Sequence, residues 1–433
     1  FIFFNALLTF ILGLCVKLML WEPVEANLHN PRKSILVYIG GLASMLFAAA
    51  FSRRLRFKVG IVQRVVPRTS HQRIASGCFA LGVFLVLVMF SLGHEDGGVG
   101  SAIGQLNHFI PLSILLGVYY RVKDTNGRAS FSMAALLAAL ISFLQGINEF
   151  SKQGMFTPWI CWIIAATAAG YRATTKQMIG FAVCCFIAIG ILVPYSQVVR
   201  GREDRDTLGG PIDKLIFVAT NFSEIREQHR GLEERQDMYH WFNTSQGAFD
   251  RLNMIAMDDA LIELTDTDHM HGLSYVGTYL YNILPHAVAP DKPTIRFGNQ
   301  YAHELGMLSP DDTTTGISFS PTGDAYHIYS WLGVLLIMPA ILCVCFWMVD
   351  STSGSLRQSP WGLYFVLTFA HQASEGMLGA PILAATNGVV ILIFAVVMTT
   401  YVAPIVGTLL LGPEKSALNP IDVVPPVIRR LQS

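Results

Sequence analysis

Residues 178–198 read MIGFAVCCFIAIGILVPYSQV, and residues 199–206 read VRGREDRD. The first run carries no charged side chain over a length sufficient to cross a hydrocarbon core of about 30 Å. The second opens a charged block that runs to residue 327. Nine further apolar runs share the first character: 1–21, 34–51, 74–93, 102–120, 131–147, 158–171, 328–349, 361–378 and 386–411. Of 433 residues, 52% are hydrophobic and 14% charged, where a soluble domain carries about 25% charged residues. Mean hydropathy is +0.46. These values exclude a disordered chain, a nucleic-acid-binding protein and most cytosolic enzymes. The expected fold is an all-α polytopic membrane protein with about ten or more transmembrane helices.

Charge is distributed unevenly around a net of zero. Residues 199–327 hold 20 of the 30 acids and 10 of the 30 bases. The framework outside them is basic. Loop 52–73 has Arg53, Arg54, Arg56, Lys58, Arg64, Arg68 and Arg73 without an acid. Loops 121–130 and 172–177 and the tail at Arg429 and Arg430 are basic too, and all fall on one side of a ten-helix alternation. Positive loops face the cytoplasm, so both termini are expected there and the acidic block outside. The chain then divides into a bundle of about seven helices at 1–198, an external domain at 199–327, about three helices at 328–411 and a tail at 412–433. All seven cysteines lie in the apolar runs, so no disulfide framework is expected in the external block.

About 129 residues between two spans are too many for a connector. Helical spacing is present at 212–227 and again at 236–264, where Met238, Phe242, Phe249, Leu252, Ile255 and Ala256 form a stripe. Pro285, Pro290, Pro293, Gly298, Pro310, Gly316, Pro321 and Gly323 then predict an irregular lid. Polar residues gather where spans meet the block: Asn107 and His108, Asn148 and Glu149, His371, Gln372 and Glu375. His371 and Glu375 stand four apart on one helical face. They suit either a wet cavity or a hydrogen bond between helices.

Arg200 follows directly on the 178–198 run, at headgroup depth. Its planar fork suits lipid phosphate or a phosphate-bearing substrate equally. Arg251 stands beside Asp250 and Asp258, which offer it a salt bridge. Asp266, Asp268, His269 and His271 have the composition of metal ligands, but their spacing fits no zinc pattern. A site without metal or other cofactor is expected.

Residues 283–306 read ILPHAVAPDKPTIRFGNQYAHELG, and 307–333 read MLSPDDTTTGISFSPTGDAYHIYSWLG. This stretch resembles the final external loop of bacterial O-antigen and exopolysaccharide repeat-unit polymerases, the Wzy-like family. The likeness rests on Asp291-Lys292-Pro293, on Gly323-Asp324-Ala325-Tyr326 and on Trp331-Leu332-Gly333 leading into a span. Asp324 stands where a Glu is common, and Ser330-Trp331 where Phe is usual. The resemblance implies a GT-C-like helical membrane enzyme with a large periplasmic loop in the inner membrane. It would join a polyprenyl-diphosphate-linked oligosaccharide donor to a similar acceptor, in contact with membrane lipid and with a chain-length-regulating co-polymerase as a candidate partner. Nucleic acid is not an expected partner.

The residue types suit that reaction. A departing diphosphate needs preorganised cations, which Arg200, Arg251, Lys292 and Arg296 offer. An acceptor hydroxyl needs a base, a contribution of about 10²–10⁴-fold, for which Asp324, His327 and Glu304 are the candidates. His303, Tyr326, His371 and Glu375 complete the expected substrate site. An O-antigen ligase, which uses the same donor and a lipid A-core acceptor, needs the same groups. A transporter or flippase would show inverted repeats and midplane charges, and none is visible.

Overall fold

A computed structural model describes residues 1–65, 70–92, 104, 107–200, 209–234, 240–244, 246, 249–250, 253–267, 270–284, 296–313, 315–355 and 359–412. Among them every regular element is helical. Each of the ten apolar runs overlaps a helix among its described residues. Six are long and apolar enough to cross a membrane: α1 (Ile2–Leu20), α2 (Pro31–Leu55), α3 (His71–Met89), α7 (Thr175–Ser196), the Pro321–Ser353 column and α16 (Gly379–Leu411). Between and around them lie α4 (Phe109–Asp124), α5 (Met133–Asn148), α6 (Lys152–Ala169) and α15 (Gly362–Glu375). Backbone helix continues from α7 to Arg200. The protein is therefore a helical, multi-pass membrane protein.

The outer faces of these helices are apolar. Phe47, Phe84, Phe186, Leu336 and Leu409 are all exposed, a surface that matches lipid and not water. Inside, helices approach closely where side chains are small. At Gly77 of α3 a Cβ would lie 1.9 Å from the Ala403 carbonyl oxygen of α16, so only glycine allows that crossing.

The acidic block forms shorter helices: α8 (Pro211–Thr220), α9 (Phe222–Glu234), α10 (Ile255–Thr267), α11 (Ser274–Asn282), α12 (Phe297–Glu304) and α13 (Pro321–Leu332). The 212–227 helix divides at Asn221. The single helix expected over 236–264 is interrupted: residues 241–244 form bends, 249 and 250 are helical, and α10 starts afresh at Ile255. Asn253 ends the preceding segment by accepting from the Ile255 amide at 3.3 Å, and the Asn243-Thr244-Ser245 run favours turns over helix. Phe242 of the predicted stripe and its neighbour Trp241 are buried in a bend against Val16 and Tyr38. There Trp241 donates to the Val24 carbonyl at 3.1 Å, and the Lys17 ammonium lies 5.0 Å from its ring centre.

α13 does not run straight into the column. Tyr329 and Ser330 leave helical geometry, Ser330 at φ 46° and ψ −138°, before a π-helical turn at Gly333–Ile337 leads to α14 (Met338–Ser353). Ser330 is thus in a region glycine adopts far more readily. The break sets α13 at an angle of its own and separates the polar turns of the column from the apolar ones.

Connecting segments touch one another in two groups. In one, Asp259 of α10 accepts from the His29 and Asn30 amides at 2.5 and 3.2 Å and from the Ser34 hydroxyl. A carboxylate from one element thereby caps the positive N-terminus of α2. Lys214 of α8 similarly reaches the Asn148 carbonyl at 2.9 Å. In the other group, the Ile61 amide donates to Ser351 at 2.9 Å and Arg172 to Gly127 at 3.0 Å, while Arg73 reaches Gly412 at 2.9 Å.

Candidate functional site

The resembling stretch folds into three linked polar centres around α13. Ser320 and Pro321 start the helix, serine as N-cap and proline in the first turn. The Ser320 hydroxyl accepts from the Gly323 amide at 3.1 Å. The N-cap is therefore Ser320. Every residue from Pro321 to Ile328 is buried.

The first centre is Asp258 of α10. It accepts from the Ser320 amide at 3.0 Å and from the hydroxyls of Ser320 and Tyr38, which ties α2, α10 and α13 together. Gly323 makes room for it, because a Cβ there would lie 2.5 Å from the Asp258 carboxyl carbon. Burial pushes the Asp258 carboxyl up to about 7, with nearby Asp324 adding to the rise and the three hydrogen bonds opposing it. A carboxyl raised on folding favours the folded state at low pH. That contribution declines by about 1.4 kcal/mol per pH unit between the ordinary value of 3.8 and about 7. The unfolding midpoint in detergent should accordingly fall as pH rises across this window. In Asp258→Asn that slope should be lost, and a variant with the wild-type slope would refute the assignment.

The second centre is Asp324, fully buried. Tyr279 of α11 donates to both its oxygens at 2.8 Å. Tyr301 of α12 donates at 2.6 Å, and the Leu378 amide at 2.7 Å. Burial and the neighbouring carboxylate push the Tyr279 and Tyr301 phenols well up, so both remain donors. Leu378 is the N-cap of α16, and Glu375 stands three residues before it at the end of α15.

The third centre joins Glu304, His327 and His271. His327 Nε2 lies 3.1 Å from Glu304 Oε2, and His271 Nε2 lies 3.3 Å from the same oxygen. Burial alone would raise the Glu304 carboxyl, but hydrogen bonds from His271, His327 and Gln300 outweigh it and hold the group well below the usual carboxylate range. His327 is fully buried, whereas the side chains of Glu304 and His271 keep 19% and 13% exposure. The cluster thus has a closed floor and an open mouth.

Of the residues expected from the sequence, Asp324, His327 and Glu304 come together, and Tyr326 turns to a separate contact. Tyr326 donates to Asp266 at 3.0 Å, and Asp266 is paired with Lys33 of α2. Arg296 and His303 turn elsewhere. Arg296 is exposed and donates to the Thr313 carbonyl at 3.2 Å, and His303 donates to the Asp312 carbonyl at 2.8 Å, so both hold the 312–315 turn. Arg200 ends α7, and His371 and Glu375 lie in the last turn of α15; the side chains of all three are outside the described residues. Arg251 and Lys292 lie wholly outside them.

Sequence reasoning missed Asp258, Thr265, His271, Tyr279 and Tyr301. Tyr275 and Tyr279 did carry a signal, two tyrosines four apart on one helical face. An apolar cavity of about 830 Å³ between α4, α5, α6 and α7, with Trp159, Trp162 and Phe181 in its wall, contains none of these residues. The three polar centres lie outside this cavity. Compared with protein-family models, curated proteins and solved structures, the chain matches none of them.

Proposed function

We propose that this protein is a glycosyltransferase that joins polyprenyl-diphosphate-linked oligosaccharide repeat units, a polymerase of the O-antigen or exopolysaccharide kind. One observation carries the reading. The three polar centres meet at residues 320–327, which contain the Gly323-Asp324-Ala325-Tyr326 run that resembles such polymerases. In the reaction the sugar carbon becomes oxocarbenium-like as diphosphate departs, and the acceptor hydroxyl loses its proton. The Glu304–His327–His271 cluster takes that proton, since it is the centre with an open mouth. Asp324, with every oxygen engaged, positions α11, α12 and α16 around it. Arg200, Arg251, Lys292 and Arg296 supply positive charge for the diphosphate.

The two groups of connecting segments support a ten-helix path with both termini cytoplasmic and residues 199–327 periplasmic, in a bacterial inner membrane. The segments assigned to the cytoplasm by their arginines contact one another, and those assigned outside do likewise.

Purified protein given a polyprenyl-diphosphate-linked oligosaccharide should yield a ladder of repeat lengths on a gel. A single added unit on lipid A-core, offered in parallel, would replace the polymerase reading with a ligase. Failure on the native repeat unit, together with its passage across a reconstituted bilayer, would replace it with transport.

A further inference from the structure

His271, Glu304 and His327 come from three separate segments, yet each offers one ligand atom and these atoms all lie within 4.8 Å of one another. The two distances to Glu304, 3.1 and 3.3 Å, match the spacing of ligands around a tetrahedral ion. Bonds of about 2.0–2.1 Å set neighbouring ligand atoms roughly 3.3 Å apart. The imidazole rings lie nearly at right angles, 83° with centres 4.5 Å apart, so their nitrogens meet the carboxylate from different directions.

The surrounding contacts hold each ligand in that pose. Thr265 gives its hydroxyl hydrogen to the Leu261 carbonyl at 2.7 Å, so at 2.9 Å it accepts from His327 Nδ1. That bond leaves Nε2 aimed at Glu304, where a neutral ring presents its lone pair to an ion and, without an ion, a protonated ring donates to the carboxylate. Gln300 donates to the other Glu304 oxygen at 3.0 Å and is itself held by Tyr275 at 3.0 Å. The His271 ring stacks on Tyr275 and Tyr301, with centres 4.2 and 5.5 Å apart. Its amide donates to the His327 carbonyl at 3.3 Å. A nitrogen lone pair and a carboxylate oxygen set face to face are an arrangement that a cation completes.

We propose that His271, Glu304 and His327 bind one divalent transition-metal ion of the zinc class through these three atoms. Two imidazoles with one carboxylate favour such an ion over magnesium or calcium, which take oxygen ligands. Three protein ligands leave a fourth position for an oxygen, the ligand count of catalytic zinc sites and not of structural ones. The ion replaces the metal-free site expected from sequence. Metal binding is tested apart from the glycosyl-transfer reading, because metal content is measured without any sugar substrate; an ion held here would supply its own bound oxygen as proton acceptor in place of the three side chains.

The protein, purified in detergent on a tag without histidines, is analysed for metal and then titrated with Zn²⁺ and with Co²⁺ after chelation. About one ion per chain is expected, with visible d–d absorption from the Co²⁺ form. His271→Ala and Glu304→Gln should each lose the ion and the absorption, and His71→Ala, at the far basic group, should keep both. If a variant does not fold, the Co²⁺ spectrum of the unaltered protein decides alone. Absence of stoichiometric Zn²⁺ or Co²⁺ in that protein overturns the proposal. So does full metal retention in folded His271→Ala and Glu304→Gln.

Discussion

Asp324→Leu is expected to abolish accumulation of folded protein, and Asp324→Asn to lower the unfolding midpoint strongly. The carboxylate is fully buried and receives Tyr279, Tyr301 and the Leu378 amide. Removing it leaves three buried donors without an acceptor, each unsatisfied group worth about 1–3 kcal/mol. The sum is comparable with a total folding stability of about 5–15 kcal/mol. Asparagine keeps the shape but turns an amino group toward at least one donor. Tyr301→Phe deletes a single donor and should cost only about 1–3 kcal/mol. Size-exclusion profiles and thermal midpoints in detergent separate these cases. An Asp324→Leu protein that stays monodisperse at the wild-type midpoint would show that the carboxylate is not the junction of α11, α12, α13 and α16.

The order of these effects explains the acidic surplus of residues 199–327. Read along the sequence, 20 acids suggest a solvated exterior. Several of them are internal acceptors instead. Asp258 ties α2 to α10 and α13, Asp259 caps α2, Asp324 gathers α11, α12 and α16, and Glu304 receives two histidines. Each carboxylate faces backbone amides, hydroxyls or imidazoles, which are the donors a buried carboxylate requires. The block is fastened to the membrane helices by these centres.

Helices were legible in the sequence wherever hydropathy was sustained, because a long uncharged run has few other ways to satisfy its backbone in lipid. All ten apolar runs overlap helices among their described residues. Periodicity failed at 236–264, where Trp241 and Phe242 are buried by packing on α1 and α2 and not by a helical face of their own. In the site, Asp324, His327, Glu304 and Tyr326 were legible because they share a local stretch. His271 lies 33 residues before Glu304, and Glu304 lies 23 before His327. No helical or strand period spans such gaps, so His271 was judged beside Asp268 and His269 and set aside. Tyr279 and Tyr301 had no charge to draw attention. Their role appears only when α11 and α12 are folded onto α13.

The second large effect concerns turnover. Glu304→Gln is expected to lower repeat-unit addition by about 10²–10⁴-fold, the usual contribution of a positioned acid–base group, because it removes the carboxylate that orients the accepting imidazole. Glutamine preserves the volume and the Gln300 contact, so the thermal midpoint should move far less than in Asp324→Leu. Because the partly exposed Glu304 is held charged by His271, His327 and Gln300, the substitution removes negative charge at the mouth of the cluster and nowhere else. The loss should fall on kcat, with KM for the lipid-linked donor little changed, since the diphosphate is held by other groups. His327→Gln should lose activity to a similar degree, because it removes the group that fixes Glu304 from the buried side. The double variant should be little worse than either single one, as expected for groups that act together. Additive losses would mean that Glu304 and His327 serve separate steps. Unchanged turnover in both would remove the cluster from the reaction and return the base to another carboxylate.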